Sequence, residues 1–131
     1  VQAVAGIPLT VYGTGGQTRA MIHILNSLQA IELMINDPAD GYKTVHQLTD
    51  VKSVLDIAKI VQRLTDCDIQ FIDNPRVEMA DNQFSFEAKY LRTLGLQPVD
   101  METEIRNLLN IVRQNKDQIN KEVIMPTVKW R

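Results

Sequence analysis

Two arginines stand where a phosphate could be held. Arg19 closes the run Gly13-Thr14-Gly15-Gly16-Gln17-Thr18-Arg19, where the apolar spacing that follows predicts a helix start. Arg76 lies in Asn74-Pro75-Arg76-Val77-Glu78, where the fixed φ of proline sets the approach of the neighbouring charge. A guanidinium presents a fork of donors that matches two phosphate oxygens, and the free N–H groups and positive dipole end of a helix start favour an anion. On separate loops the two arginines would clamp a diphosphate. Taken singly, Arg76 reads as a solvated side chain paired with Glu78 or Asp73. The glycine run is not a dinucleotide fingerprint, because Thr18 occupies the third glycine's place. The region about 20 residues on, where an acid should end a second strand, has a helical pattern. A tight strand-to-helix turn accounts for the run.

The remaining reactive side chains point to structure. His23 and His46 have no third ligand at metal-binding spacing, and Cys67 is the single thiol, without a partner for a disulfide or an evident histidine to activate it. Asp100 reads as a helix cap, and Tyr12 and Trp130 as packing residues.

Periodicity supplies the elements that must position these groups. Leu9-Thr10-Val11-Tyr12 predicts a strand. From Ala20 to Asn36, Ile24, Leu28, Ile31 and Ile35 recur along one helical face, and Asp37-Pro38 ends it. Thr44 to Leu48 fits a short strand after the Asp40-Gly41 turn. Ser53 with Asp56 three residues on opens a second helix over about 53 to 65, carrying Val54, Ile57, Val61 and Leu64. Cys67 to Ile72 predicts a strand, and Phe86 to Leu94 a short helix closed by Gly95. Asp100 opens a third long helix with Met101, Ile105, Leu108, Leu109 and Val112 on its face, and the tail from Ile124 to Arg131 reads as extended. The expected fold is a small α+β domain with about three main helices and short strands. Its strands are too few for the doubly wound sheet that holds NAD.

Composition agrees with one folded unit. The chain has 131 residues, 44% of them hydrophobic, and a net charge of -2, which excludes a disordered tract and disfavours nucleic acid as a partner. The most apolar stretch, 20 to 35, is broken by His23, Asn26, Gln29 and Glu32, so no membrane span is expected. No basic leader precedes Arg19, and the opening on Val1 reads as a cut. The lone thiol points to a reducing compartment, with the cytoplasm expected.

Pro8-Leu9-Thr10-Val11-Tyr12-Gly13 followed by Gly15-Gly16-Gln17-Thr18-Arg19 resembles the start of the substrate-binding part of extended short-chain dehydrogenase/reductases (NAD-dependent epimerase/dehydratases) acting on nucleotide sugars. Val45-His46-Gln47-Leu48-Thr49-Asp50, Asn74 to Glu78, Leu94-Gly95-Leu96-Gln97-Pro98 and Ile124 to Trp130 resemble, in order, the UDP-sulfoquinovose synthases, so the likeness spans nearly the whole chain. The resemblance implies UDP-glucose as the partner, converted with sulfite to UDP-sulfoquinovose in sulfolipid biosynthesis through a tightly held NAD. It also implies Tyr12 near the uracil, Arg19 and Arg76 on the diphosphate, and Glu78 towards the ribose. The family's Gly-rich NAD loop and its Tyr-x-x-x-Lys pair are absent, since Tyr12, Tyr42 and Tyr90 are followed four residues on by Gly16, His46 and Leu94. This chain alone is therefore expected to bind no cofactor and to be inactive, with NAD belonging to a full-length enzyme. Departures fall at Asn26-Ser27, where the family usually has Asp followed by a small or β-branched residue, at His46, where it often has Asn, and at Met79, where related epimerases place a carboxylate. Loss of an NAD domain would uncover apolar surface, so self-association is expected. The alternatives are a free-standing nucleotide- or protein-binding module, or part of another nucleotide-sugar epimerase or dehydratase.

Overall fold

The computed structural model describes residues 1–38, 40–74 and 89–125. The best-defined local signals make the frame. Ser53 caps helix α3 (Val54–Thr65): its Oγ accepts from Asp56 N–H at 3.0 Å, and the Asp56 carboxylate accepts from Ser53 N–H at 3.3 Å. The Ser53 hydroxyl first, and the Ser53 N–H after it, hold the Asp56 carboxyl below its ordinary value by hydrogen bonding to the carboxylate. Asp100 does the same for α5 (Met101–Gln114), accepting from the N–H and hydroxyl of Thr103 at 2.8 and 2.7 Å, and its carboxyl too is held low by Thr103. Arg63 of α3 bonds Glu102 of α5 at 2.6 Å, tying the two helices side by side.

Two short sheets complete the scaffold. Strand β1 (Leu9–Tyr12) pairs in parallel with β4 (Ile69–Ile72), Leu9 opposite Ile69 and Tyr12 opposite Ile72. The free edge of β1 is covered by α1 (Gln2–Ala5), whose Gln2 amide bonds the backbone N–H and the hydroxyl of Thr10, both at 3.3 Å. Strand β2 (Thr18–Met21) pairs antiparallel with β3 (Asp50–Ser53). Among the described residues these are two separate two-stranded sheets in an α+β arrangement, with no Rossmann-type sheet. No described helix is long and apolar enough to cross a membrane.

Here the structure corrects the sequence reading. The segment 18–21 is a strand, not the opening of a helix, because pairing with 50–53 fixes it. Helix α2 therefore begins at Ile24 and runs to Asn36, capped by His23, whose Nδ1 accepts from Leu25 N–H at 3.3 Å. The glycine run is accordingly a strand-to-strand loop. Thr44 to Leu48 forms no strand; the strand lies further on, at Asp50–Ser53. Ile124 ends a short helix, α6 (Lys121–Ile124), instead of opening an extended tail, and 126–131 lie outside the described residues. The predicted helix from Phe86 is seen from Lys89 as α4 (Lys89–Thr93). Gly95, at φ 100°, closes it, and Leu96 N–H bonds the Leu91 carbonyl at 2.9 Å.

That closing turn feeds a core cluster of Ala30, Leu91 and Leu96, with Leu33, Met34 and Val45 packed against it. A polar tie holds the same region from outside. The Tyr90 hydroxyl donates to Asp37, and the Lys43 ammonium donates to Tyr90 while lying 3.7 Å above its ring. The Tyr90 hydrogen bond is the main cause that raises the Lys43 pKa.

Candidate functional site

The parallel pairing of β1 with β4 brings their C-terminal ends together, and the sequence-predicted groups leave from there. Tyr12, half-buried, is the last residue of β1, and Gly13 N–H donates to the Ile72 carbonyl at 2.8 Å. At φ 60° Gly13 takes a backbone that favours glycine, and a Cβ there would touch Asn74 at 3.5 Å. The chain entering the 75–88 segment thus starts beside the glycine loop. Arg76 and Glu78 lie in that segment, outside the described residues.

The loop itself is spoken for. Gly15 is buried, and a Cβ on it would come within 2.6 Å of Val11 Cγ1 and 3.1 Å of Leu55 Cβ, so only glycine lets the loop lie against α3. The Gly15 carbonyl accepts from Leu55 N–H at 2.9 Å and the Gln17 carbonyl from Val54 N–H at 3.1 Å. With Ser53 bonding Asp56 N–H, the first turn of α3 has its N–H groups occupied by protein, so this helix start is no anion cradle.

Arg19 does not stand at a helix start either. It is half-buried in the middle of β2, and its Nη1 donates to the Thr18 carbonyl at 3.0 Å. The antiparallel register sets Lys52 of β3 directly opposite it. Directly opposed residues point to the same face about 5 Å apart, where like charges repel unless an anion or an acid intervenes. Among the described residues, Lys52 pairs with Asp50, at 3.5 Å on its own strand. Two cations side by side on one sheet face suit an oxyanion better than either does singly. Sequence reasoning missed Lys52, because nothing local shows that β2 and β3 pair.

Met21 and Asp50, two residues further along that face, line a hollow of about 360 Å³ shared with Ile57, Ile105, Leu108 and Ile111. Its polar wall includes His23 and Glu104, whose Nε2 and Oε2 are 3.4 Å apart. Because His23 Nδ1 accepts the α2 cap bond, its ring proton belongs on Nε2, facing Glu104. Neither Tyr12 nor Arg19 lines this hollow. The structure does explain Asn26, which is 1% exposed: its amide donates to the Gln97 carbonyl at 2.7 Å and its Oδ1 accepts from Val99 N–H at 3.0 Å. A carboxylate could accept from Val99 but could not donate to Gln97. Among the described residues, no three metal-ligating side chains converge.

Comparison with known proteins gives this geometry its context. The chain is 35% identical, over its whole length, to the chloroplastic UDP-sulfoquinovose synthase of Spinacia oleracea, and 36% identical to the UDP-sulfoquinovose synthase of Sulfolobus acidocaldarius. It is a homologue of the UDP-sulfoquinovose synthases. It spans 29% and 36% of the length of these two synthases. No family model matches. Solved structures show the same fold as part of longer chains. This chain superposes with a TM-score of 0.71 on the dTDP-glucose 4,6-dehydratase of Streptomyces venezuelae, at 19% identity, covering 89% of this chain and 37% of that one. With the UDP-glucose 4-epimerase of Thermotoga maritima the TM-score is 0.69 at 16% identity, covering 88% of this chain and 38% of that one. The synthases match along the whole chain, so the glycine loop, β2 and the 75–88 segment all fall within the shared region.

Proposed function

We propose that this chain is the nucleotide-sugar-binding portion, residues 1–131, of an NAD-dependent enzyme, and that the enzyme is a UDP-sulfoquinovose synthase converting UDP-glucose and sulfite to UDP-sulfoquinovose. The observation that carries the reading is identity above a third along the full chain to synthases from a plant and from Sulfolobus acidocaldarius. In this reading Tyr12 lies near the uracil, Arg19 and Arg76 hold the diphosphate, and Glu78 faces the ribose. Lys52 adds a second charge beside Arg19. NAD and the acid–base pair belong to the remainder of the enzyme, so the chain alone binds UDP-sugar weakly and turns nothing over.

A second reading, part of another nucleotide-sugar epimerase or dehydratase, is favoured by structural neighbours that include a dehydratase and two 4-epimerases. Titration calorimetry with UDP and UDP-glucose tests what both readings share. Arg19→Ala or Arg76→Ala should each weaken UDP binding about 10- to 100-fold, the value of a charge-assisted hydrogen bond, and Lys52→Ala about threefold. Unchanged affinity in both arginine variants would sink the clamp. In a polypeptide joining this chain to an NAD-binding part, sulfite-dependent consumption of UDP-glucose selects the synthase. Conversion of UDP-galactose without sulfite selects an epimerase.

A further inference from the structure

The chain has one Asp-Gly step, Asp40-Gly41, and one Asn-Ser step, Asn26-Ser27. In such pairs a small second residue leaves its amide nitrogen open to attack the side-chain carbonyl carbon before it, glycine most of all. The structure separates the two. Asn26 is 1% exposed with both ends of its amide bonded, and Ser27 N–H donates to the His23 carbonyl at 3.0 Å. Asp40 and Gly41 are exposed, and among the described residues no hydrogen bond engages the Gly41 N–H. Gly41 has φ 91°, and a Cβ placed on it would meet nothing within 4 Å, so a ring has room to close.

We propose that Asp40-Gly41 is a self-modification site, at which the folded chain turns aspartate into isoaspartate. The Gly41 nitrogen, its proton passing to water, bonds to Cγ of the protonated Asp40 carboxyl, and the Cγ–OH bond breaks to release water. The succinimide ring so formed takes up water at either carbonyl. Opening at the Cγ carbonyl restores aspartate, and opening at the backbone carbonyl leaves the main chain running through Cγ. One water leaves and one returns, so the step needs no oxidant, reductant or cofactor. Its position gives the change an effect. Asp37 and Lys43, on either side of the step, both bond the Tyr90 hydroxyl, and their own charged groups lie 3.6 Å apart. Isoaspartate adds one backbone bond of about 1.5 Å between them, which draws the tie out of register. The inference uses no part of the UDP-sugar reading.

The test is prolonged warm incubation of the 131-residue chain at about pH 5, where protonated carboxyls persist, followed by tryptic digestion. Electron-transfer fragmentation of the peptide 20–43 should place isoaspartate at residue 40 and leave Asn26 as asparagine. Asp40→Glu should abolish the product, because its longer side chain must close a larger ring. At neutral pH Asp40→Asn should react at least about tenfold faster than the parent, a barrier lower by about 1.4 kcal/mol, since an amide is attacked more readily than a carboxylate. Aspartate that persists at 40 in the folded chain while urea-unfolded chain isomerises overturns the proposal, as does conversion at Asn26 ahead of Asp40. A second measurement reads the effect on the tie. The urea midpoint of the parent should fall as isoaspartate accumulates, whereas Tyr90→Phe, which lacks the tie from the start, should show no fall. A parent midpoint that stays put, or equal falls in both proteins, overturns the link between the step and Tyr90.

Discussion

Helices α2 and α3 are similar in length, and each repeats large aliphatic residues every three or four positions. On α3, Val54, Ile57, Val61 and Leu64 are half-buried, while Asp56, Lys59 and Arg63 point outward. On α2, Ile24, Leu28, Ile31 and Ile35 point outward, and the buried residues are Asn26 and Ala30. Periodicity therefore locates a stripe without saying which side of the helix the rest of the chain will cover. α3 has polar residues on its other faces and only one way to dock. α2 has apolar residues on both sides, the outward stripe on one and Ala30, Leu33 and Met34 on the other, and its contact with the 96–99 segment is fixed by the bonds that Asn26 and Gln29 make.

The contrast can be broken where it is strongest. Asn26→Ala leaves Val99 N–H and the Gln97 carbonyl without partners behind α2, and urea denaturation should show a loss of about 2–4 kcal/mol. An unchanged midpoint would mean that the 96–99 segment does not hold α2. The corresponding test on α3 is milder. Ser53→Ala removes one side of the capping box and should cost about 1 kcal/mol, read by the same denaturation.

The smallest effect is in acid. The folded-state carboxyls of Asp56 and Asp100 sit below their ordinary value, so the caps they support are fully present above the unfolded-state value near pH 4 and are lost as pH falls through the folded value. Thermal unfolding of the parent should weaken from about pH 4 downward, and Asp56→Asn should flatten that slope. A slope that survives in Asp56→Asn and Asp100→Asn together would assign the acid sensitivity to other groups.

Much of the fold was legible because its causes are local. Ser53 with Asp56, Asp100 with Thr103 and Gly95 each fix a helix end within a few residues, and β1 and β4 follow from short β-prone runs. What escaped was decided across the chain. Thr18 to Met21 contains Ala20 and Met21, good helix formers that extend the apolar rhythm of α2, and only pairing with 50–53 makes them a strand. The same pairing hid Lys52 from any reading of Arg19. Arg19 and Tyr12 were legible as residue types, yet Arg19's setting in mid-strand was not.

One consequence follows from the bonds between the glycine loop and α3. The first two amides of this helix are locked to carbonyls that belong to neither the helix nor its flanks. They can trade hydrogen for deuterium only when the loop lifts, so Val54 and Leu55 serve as a clock for loop opening. A nucleotide that engages Arg19 from the loop's far end would slow that clock without touching either residue.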